Sequence, residues 1–116
     1  MALASCDTAN NIDVDESEDA IKASRGVLLG YYFANLHASS FRYVKLYDAT
    51  VGSTSVGTTI PKLTLPLPAA SAGHVWFGKE GIPFANAITV AATTGVAHTD
   101  TGAPGANEVV FEAFYQ

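Results

Sequence analysis

Cysteine is almost missing from this chain: Cys6 is the only one in 116 residues. That excludes an intramolecular disulfide and a thiolate metal cluster. Charge is scarce as well, at 15% of residues, against roughly 25% in an average soluble domain. Beside an apolar share of 48%, so little charge implies a surface that is partly covered by other subunits or by a permanent assembly. No apolar run approaches the ~20 residues that cross a bilayer as a helix; the longest, Val27 to Ala34, is interrupted by Gly30. Leu3-Ala4-Ser5-Cys6 has the look of a lipoprotein processing site, but no basic segment stands before it, nor the apolar run of about 7–15 residues that a secretion signal requires. No membrane contact is expected, and synthesis in a reducing cytoplasm is.

Basic residues are the next shortage. The net charge is −5, but residues 7 to 19 hold six of the eleven acids and no base, while residues 20 to 116 hold five acids and six bases. The body is therefore close to neutral and has no basic patch to displace counterions from phosphates, which argues against nucleic-acid binding. The acidic leader reads as a solvated or partner-seeking arm. Residues 1 to 24 are rich in Ala, Ser, Asn and Asp and lack a hydrophobic period. They are expected to be extended or weakly helical, with Ser17 capping a turn or two and Ile21 as the apolar anchor.

What is present is the two-residue period of β-strands. In Phe41 to Asp48, Val44 and Leu46 point one way and Tyr43, Lys45 and Tyr47 the other. Lys62 to Pro68 places Leu63, Leu65 and Leu67 on one face, and its prolines predict a sheet edge. Gly26 to Asn35 is dense in β-branched and aromatic residues, as in a strand buried on both faces. His74 to Phe77 is a short strand, and Gly81 to Thr93 carries Ile82, Phe84, Ile88, Val90 and Ala92 on one parity. Pairing there is expected to begin after Pro83. Glu108 to Tyr115 closes the series, while 49 to 59 and 95 to 106 are loops punctuated by Gly, Ser, Thr and Pro. At this length there is room for one domain. Short strands and no helical period beyond the leader imply an all-β, single-domain β-sandwich or jelly-roll-like fold over 25 to 116, preceded by the arm.

Catalytic chemistry is hard to place. His37, His74 and His98 are far apart and show no metal-ligand spacing. His98-Thr99-Asp100 lacks the sharply presented nucleophile and oxyanion hole of a hydrolase, and reads better as a hydrogen-bonded turn. Gly52 to Gly57 lacks the Gly-Lys-Ser/Thr ending of a phosphate loop. Too few carboxylates stand outside the arm for a glycosidase pair. No enzyme activity, cofactor or metal is expected. Trp76 is expected in the core, where the tryptophan of a small sandwich usually lies; an exposed Trp76 beside Phe77 and Tyr43 would instead make a sugar-stacking platform.

The order of four blocks carries a resemblance. Gly26-Val-Leu-Leu-Gly-Tyr-Tyr-Phe-Ala-Asn35, Arg42-Tyr-Val-Lys-Leu-Tyr-Asp48, Pro61-Lys-Leu-Thr-Leu-Pro-Leu-Pro68 and Gly81 to Thr94, followed by Asp100 and Asn107-Glu-Val-Val110, resemble a family of small tailed-bacteriophage and prophage virion proteins. The likeness covers about residues 25 to 116 and leaves the arm outside. It implies a capsid decoration, or cement, protein: a β-sandwich, commonly trimeric, seated on the major capsid protein at the capsid surface. A tail, baseplate or head-fibre piece of the same type is the alternative, and a carbohydrate-binding module a lesser one. On this reading the contacts would come from Asp13, Asp15, Glu16 and Ile21 of the arm and from the Tyr43, Lys45 and Tyr47 face.

Overall fold

The computed structural model describes residues 6–116; residues 1–5, the start of the expected arm, lie outside the described residues. Nine strands are present among them: β1 (Asp7–Asn11), β2 (Asp19–Lys22), β3 (Gly26–Asn35), β4 (Arg42–Tyr47), β5 (Leu63–Leu67), β6 (Ser71–Trp76), β7 (Ile82–Phe84), β8 (Ile88–Thr93) and β9 (Val109–Tyr115). The remaining regular element is a single 3₁₀ turn, Val51–Ser53. Two antiparallel sheets result. One runs β1-β9-β3-β6, with β7 also on β3, and the other runs β2-β8-β4-β5. The all-β sandwich expected from the alternation is therefore what forms.

Period-two patterning accounts for the core between the sheets. Leu28, Tyr31, Val109, Phe111 and Ala113 from the five-stranded sheet meet Val44, Leu46, Leu67, Ile88, Val90 and Ala92 from the four-stranded one, with Phe84 at one end. Leu63 and Leu65 pack against this cluster from β5, an edge strand, where the missing N–H of Pro66 is harmless. Buried Asn35 closes the end of β3: its Nδ2 donates to the carbonyls of Ser40 (3.0 Å) and Leu67 (2.9 Å), and its Oδ1 accepts the His37 amide. A buried amide with these partners specifies one geometry of the turn.

The run 81 to 93 is two strands in two sheets. β7 pairs with Gly26–Leu28 of β3, so pairing includes Pro83 rather than starting after it, and β8 lies between β2 and β4. Proline is tolerated because β7 uses only one side for pairing. At the crossover, the carboxylate of Asp48 accepts the amides of Ala85 (3.1 Å), Asn86 (2.8 Å) and Ala87 (3.5 Å).

The largest departure from expectation is the leader. It is no free arm from Asp7 onward, and Ser17–Ala23 is not helical: β1 adds to β9 and β2 to β8. Between them the chain crosses from one sheet to the other. Val14 is fully buried in the core, its amide donating to Val109 O at 3.0 Å, while Asp15 O accepts the Ala92 amide at 2.7 Å. Residues 7 to 22 thus close one side of the sandwich. The physical reason is that β9 and β8 would otherwise leave unpaired backbone edges, and two apolar anchors, Val14 and Ile21, suffice to seat a polar segment whose main chain supplies the pairing.

Candidate functional site

Each sheet has an outer face, and the two differ in what covers them. On the four-stranded sheet, Val44 and Leu46 point into the core as expected. Tyr43, Lys45 and Tyr47 point out, yet Lys45 and Tyr47 are fully buried. Loops fold over them. Lys45 Nζ donates to Ala97 O at 2.6 Å and lies 3.5 Å from Asp100 O, Thr89 Oγ1 donates to Ala49 O at 2.6 Å, and Thr93 Oγ1 to Gly95 O at 2.9 Å. Burial lowers the Lys45 ammonium from its ordinary value, and the Asp100 charge only partly offsets this. Burial, helped by Glu18, raises the Tyr47 phenol, whose buried hydroxyl has no hydrogen-bond partner among the described residues. The expected contact through Lys45 and Tyr47 is therefore corrected: both are interior groups beneath loops. Tyr43 remains half-buried, stacked on exposed Phe41 with centroids 6.1 Å apart.

The acidic residues proposed for the arm also turn inward on the chain. Asp13 Oδ1 accepts the Asn107 amide at 2.7 Å, and this ties the crossing segment to the turn before β9. Asp15 Oδ1 accepts the Ser17 amide at 2.9 Å. Ile21 is a core residue, which corrects its assignment as a partner contact. Glu16 is half-buried.

The outer face of the five-stranded sheet is different. Strand register places Thr8, Phe114, Gly30 and Trp76 side by side in one row, and Asn10, Glu112, Tyr32 and His74 in the next. Trp76 is 59% exposed and Tyr32 38%, so Trp76 is not the core residue expected of it. Gly30 makes the row possible: a Cβ there would collide with Val75 O and stand 3.1 Å from Trp76 Cε3. The glycine lets the indole approach the backbone of its neighbour. An amphipathic aromatic row beside a row carrying a carboxylate, a phenol and an imidazole can bury apolar area while hydrogen-bonding at its margin. The signal for it was the alternation Ala72, His74, Trp76 against Gly73, Val75; extending the strand back to Ser71 would have assigned the tryptophan to the outer face.

The histidines do not converge. His37 Nδ1 accepts the amides of Ser39 (3.1 Å) and Ser40 (2.9 Å), His74 lies on β6, and His98 is exposed in the loop after β8. Among the described residues no group of three or more His, Cys, Asp or Glu is placed to hold a metal ion. Asp100 Oδ1 accepts the Gly102 amide at 2.8 Å, the turn hydrogen bond read from the sequence. Comparison of the chain with family models, curated proteins and solved structures found no match.

Proposed function

We propose that this chain is a non-enzymatic structural subunit of a tailed-phage virion, of the capsid decoration type. As a homotrimer it would bind the major capsid protein and reinforce the head lattice at the capsid surface. The observation that carries the reading is the exposure of Trp76, and of Tyr32 in the adjacent row, beside half-buried Phe114 on the outer face of the five-stranded sheet. Amphipathic aromatics of this kind, held on a rigid sheet and not on a loop, are the residues enriched at the centres of protein interfaces. The scarcity of charge and the order of the sequence blocks support the same reading. Mixing the purified chain with expanded capsids and counting bound copies tests it: decoration requires occupancy of a repeating lattice site, on the order of hundreds of copies. A few to tens of copies per virion would instead fit a tail, baseplate or head-fibre position.

One observation favours a second reading, a carbohydrate-binding module. Trp76 is exposed, with Tyr32, His74 and Glu112 in the adjacent row, so a sugar ring could stack on the indole and hydrogen-bond beside it. Titration with a glycan panel followed by tryptophan fluorescence decides this; a flat response across the panel eliminates it.

A further inference from the structure

Both sheets end in strands with one unpaired backbone edge, and such an edge is a template for another strand unless something blunts it. Most of the edges here are blunted. β1 begins with Asp7, β2 carries Asp19 and Lys22 with an irregular register between Ala20 and Lys22, β5 carries Pro66, and β7 is three residues long with Pro83 at its centre. β6 is the exception. Ser71–Trp76 has six residues, no proline, no acid and no lysine or arginine, and its register with β3 is unbroken.

The phase of the ladder fixes which backbone groups face outward. Phe77 N donates to Leu29 O at 2.8 Å, one step beyond the Gly30–Trp76 pair. Hydrogen-bonded pairs alternate along an antiparallel ladder, so Ser71, Gly73 and Val75 turn their N–H and C=O to β3. Ala72, His74 and Trp76 turn theirs to the free side, and no hydrogen bond reaches those amides among the described residues. All three residues are exposed. Nor does the indole shield the edge: Trp76 Cε3 stands 3.1 Å from where a Gly30 Cβ would be, so the ring leans over β3 and away from the free side.

We propose that this edge pairs with the same edge of a second copy, β6 against β6, antiparallel about a two-fold axis at His74. The strand is self-complementary in that register. His74 lies opposite the partner's His74 and Ala72 opposite the partner's Trp76, so the outward N–H and C=O groups of all three residues meet as hydrogen-bonded pairs. A slip by one residue would set them against Gly73 and Val75, whose groups are already spent on β3. Across the seam each indole faces a methyl group, large against small. The contact is isologous and closes after two copies. It makes one continuous sheet of the two five-stranded sheets and brings both exposed Trp76 side chains onto a single outer face. The pairing stands apart from the capsid reading; in a trimer it would join one trimer to the next.

Sedimentation of the full chain over a wide concentration range, with no other component present, tests this. The mass is expected to double as concentration rises, from monomer to dimer, or from trimer to hexamer where threefold contacts also form. His74→Pro removes an N–H that faces the free side and so costs no hydrogen bond to β3, and His74→Lys sets two ammonium groups opposite each other. Each should weaken the doubling at least tenfold while the denaturant melt of dilute protein stays that of the parent; if the proline variant fails to fold, the lysine variant decides. Hydrogen exchange supplies the residue-level readout. The amides of Ala72, His74 and Trp76 should exchange fast in dilute protein and slow as it associates, whereas those of Gly73 and Val75 stay protected throughout. A mass that never doubles overturns the proposal. So does doubling that survives the folded His74 variants, or doubling that leaves the amides of 72, 74 and 76 in fast exchange, since either places the contact elsewhere on the molecule.

Discussion

Arg42 Nε lies 2.5 Å from Glu108 Oε2, joining β4 of the four-stranded sheet to the residue just before β9 of the other. Both side chains are largely shielded, and Glu108 also accepts the Gly105 amide. Burial pushes the Glu108 carboxyl up, but the Arg42 hydrogen bond, the Gly105 amide and the nearby positive charge outweigh it, and the carboxyl ends below its ordinary value. A depressed folded-state carboxyl adds stability above its unfolded pKa of about 4.3 and loses it as pH falls through the folded value. Glu108→Gln should therefore cost about 2 kcal/mol at neutral pH and flatten the loss of stability below about pH 4. Urea melts of both proteins at neutral and acid pH measure this; an equal acid response contradicts the assignment.

Val14 makes the leader part of the fold. Val14→Ala removes a fully buried side chain from the core and should cost about 2 kcal/mol. Hydrogen exchange should show the Val14 and Ala92 amides protected, since each donates across the crossing segment. An unprotected Val14 amide together with an unchanged melt would restore the free arm.

Asp48 holds the crossover between β7 and β8 with its carboxylate. Burial raises that carboxyl, the three amides it accepts from outweigh this, and the result lies below the ordinary value. Asp48→Ala leaves those amides without their acceptor and should cost about 2 kcal/mol; Asp48→Asn, which keeps one acceptor oxygen, should cost less. Denaturant melts rank the three proteins. Equal stability of all three would mean that the crossover does not depend on this side chain.

Lys45 is a buried cation facing carbonyls. Its folded pKa is lowered by burial, so near that value the unfolded state binds more protons than the folded one, and stability rises with pH up to the unfolded pKa of about 10.4. Replacement by Met should abolish this rise in a difference profile between the two proteins. Identical alkaline profiles contradict it. The raised phenols of Tyr31 and Tyr47 act in the opposite sense: their stability is present below about pH 10 and lost as pH rises through their folded values.

These residues also mark how far the sequence could be read. Alternation in 42–47 and 63–67 separated the core face of each strand from the other, because a period of two leaves one face apolar wherever a sheet covers it. The same alternation placed Lys45 and Tyr47 on the outer face but could not show that loops 49–59 and 95–106 lie over it; a loop's path depends on contacts such as Lys45 to Ala97, which no local period encodes. The leader was opaque for a related reason. Its strands are held by backbone pairing to β9 and β8, and pairing at an edge asks little of side chains, so Asp, Asn and Ser can occupy it. The aromatic row needed register across four strands, which is a tertiary quantity.

The uncovered face of the five-stranded sheet is the proposed assembly surface, and Trp76 is its most exposed aromatic member. Trp76→Ser should leave the melt within about 1 kcal/mol of the parent, since a mostly exposed side chain loses little burial. Cosedimentation of the two proteins with expanded capsids is the direct measurement. Saturable binding of the parent that drops at least tenfold in Trp76→Ser is the expected result; no binding of the parent, or equal occupancy by both proteins, would contradict it.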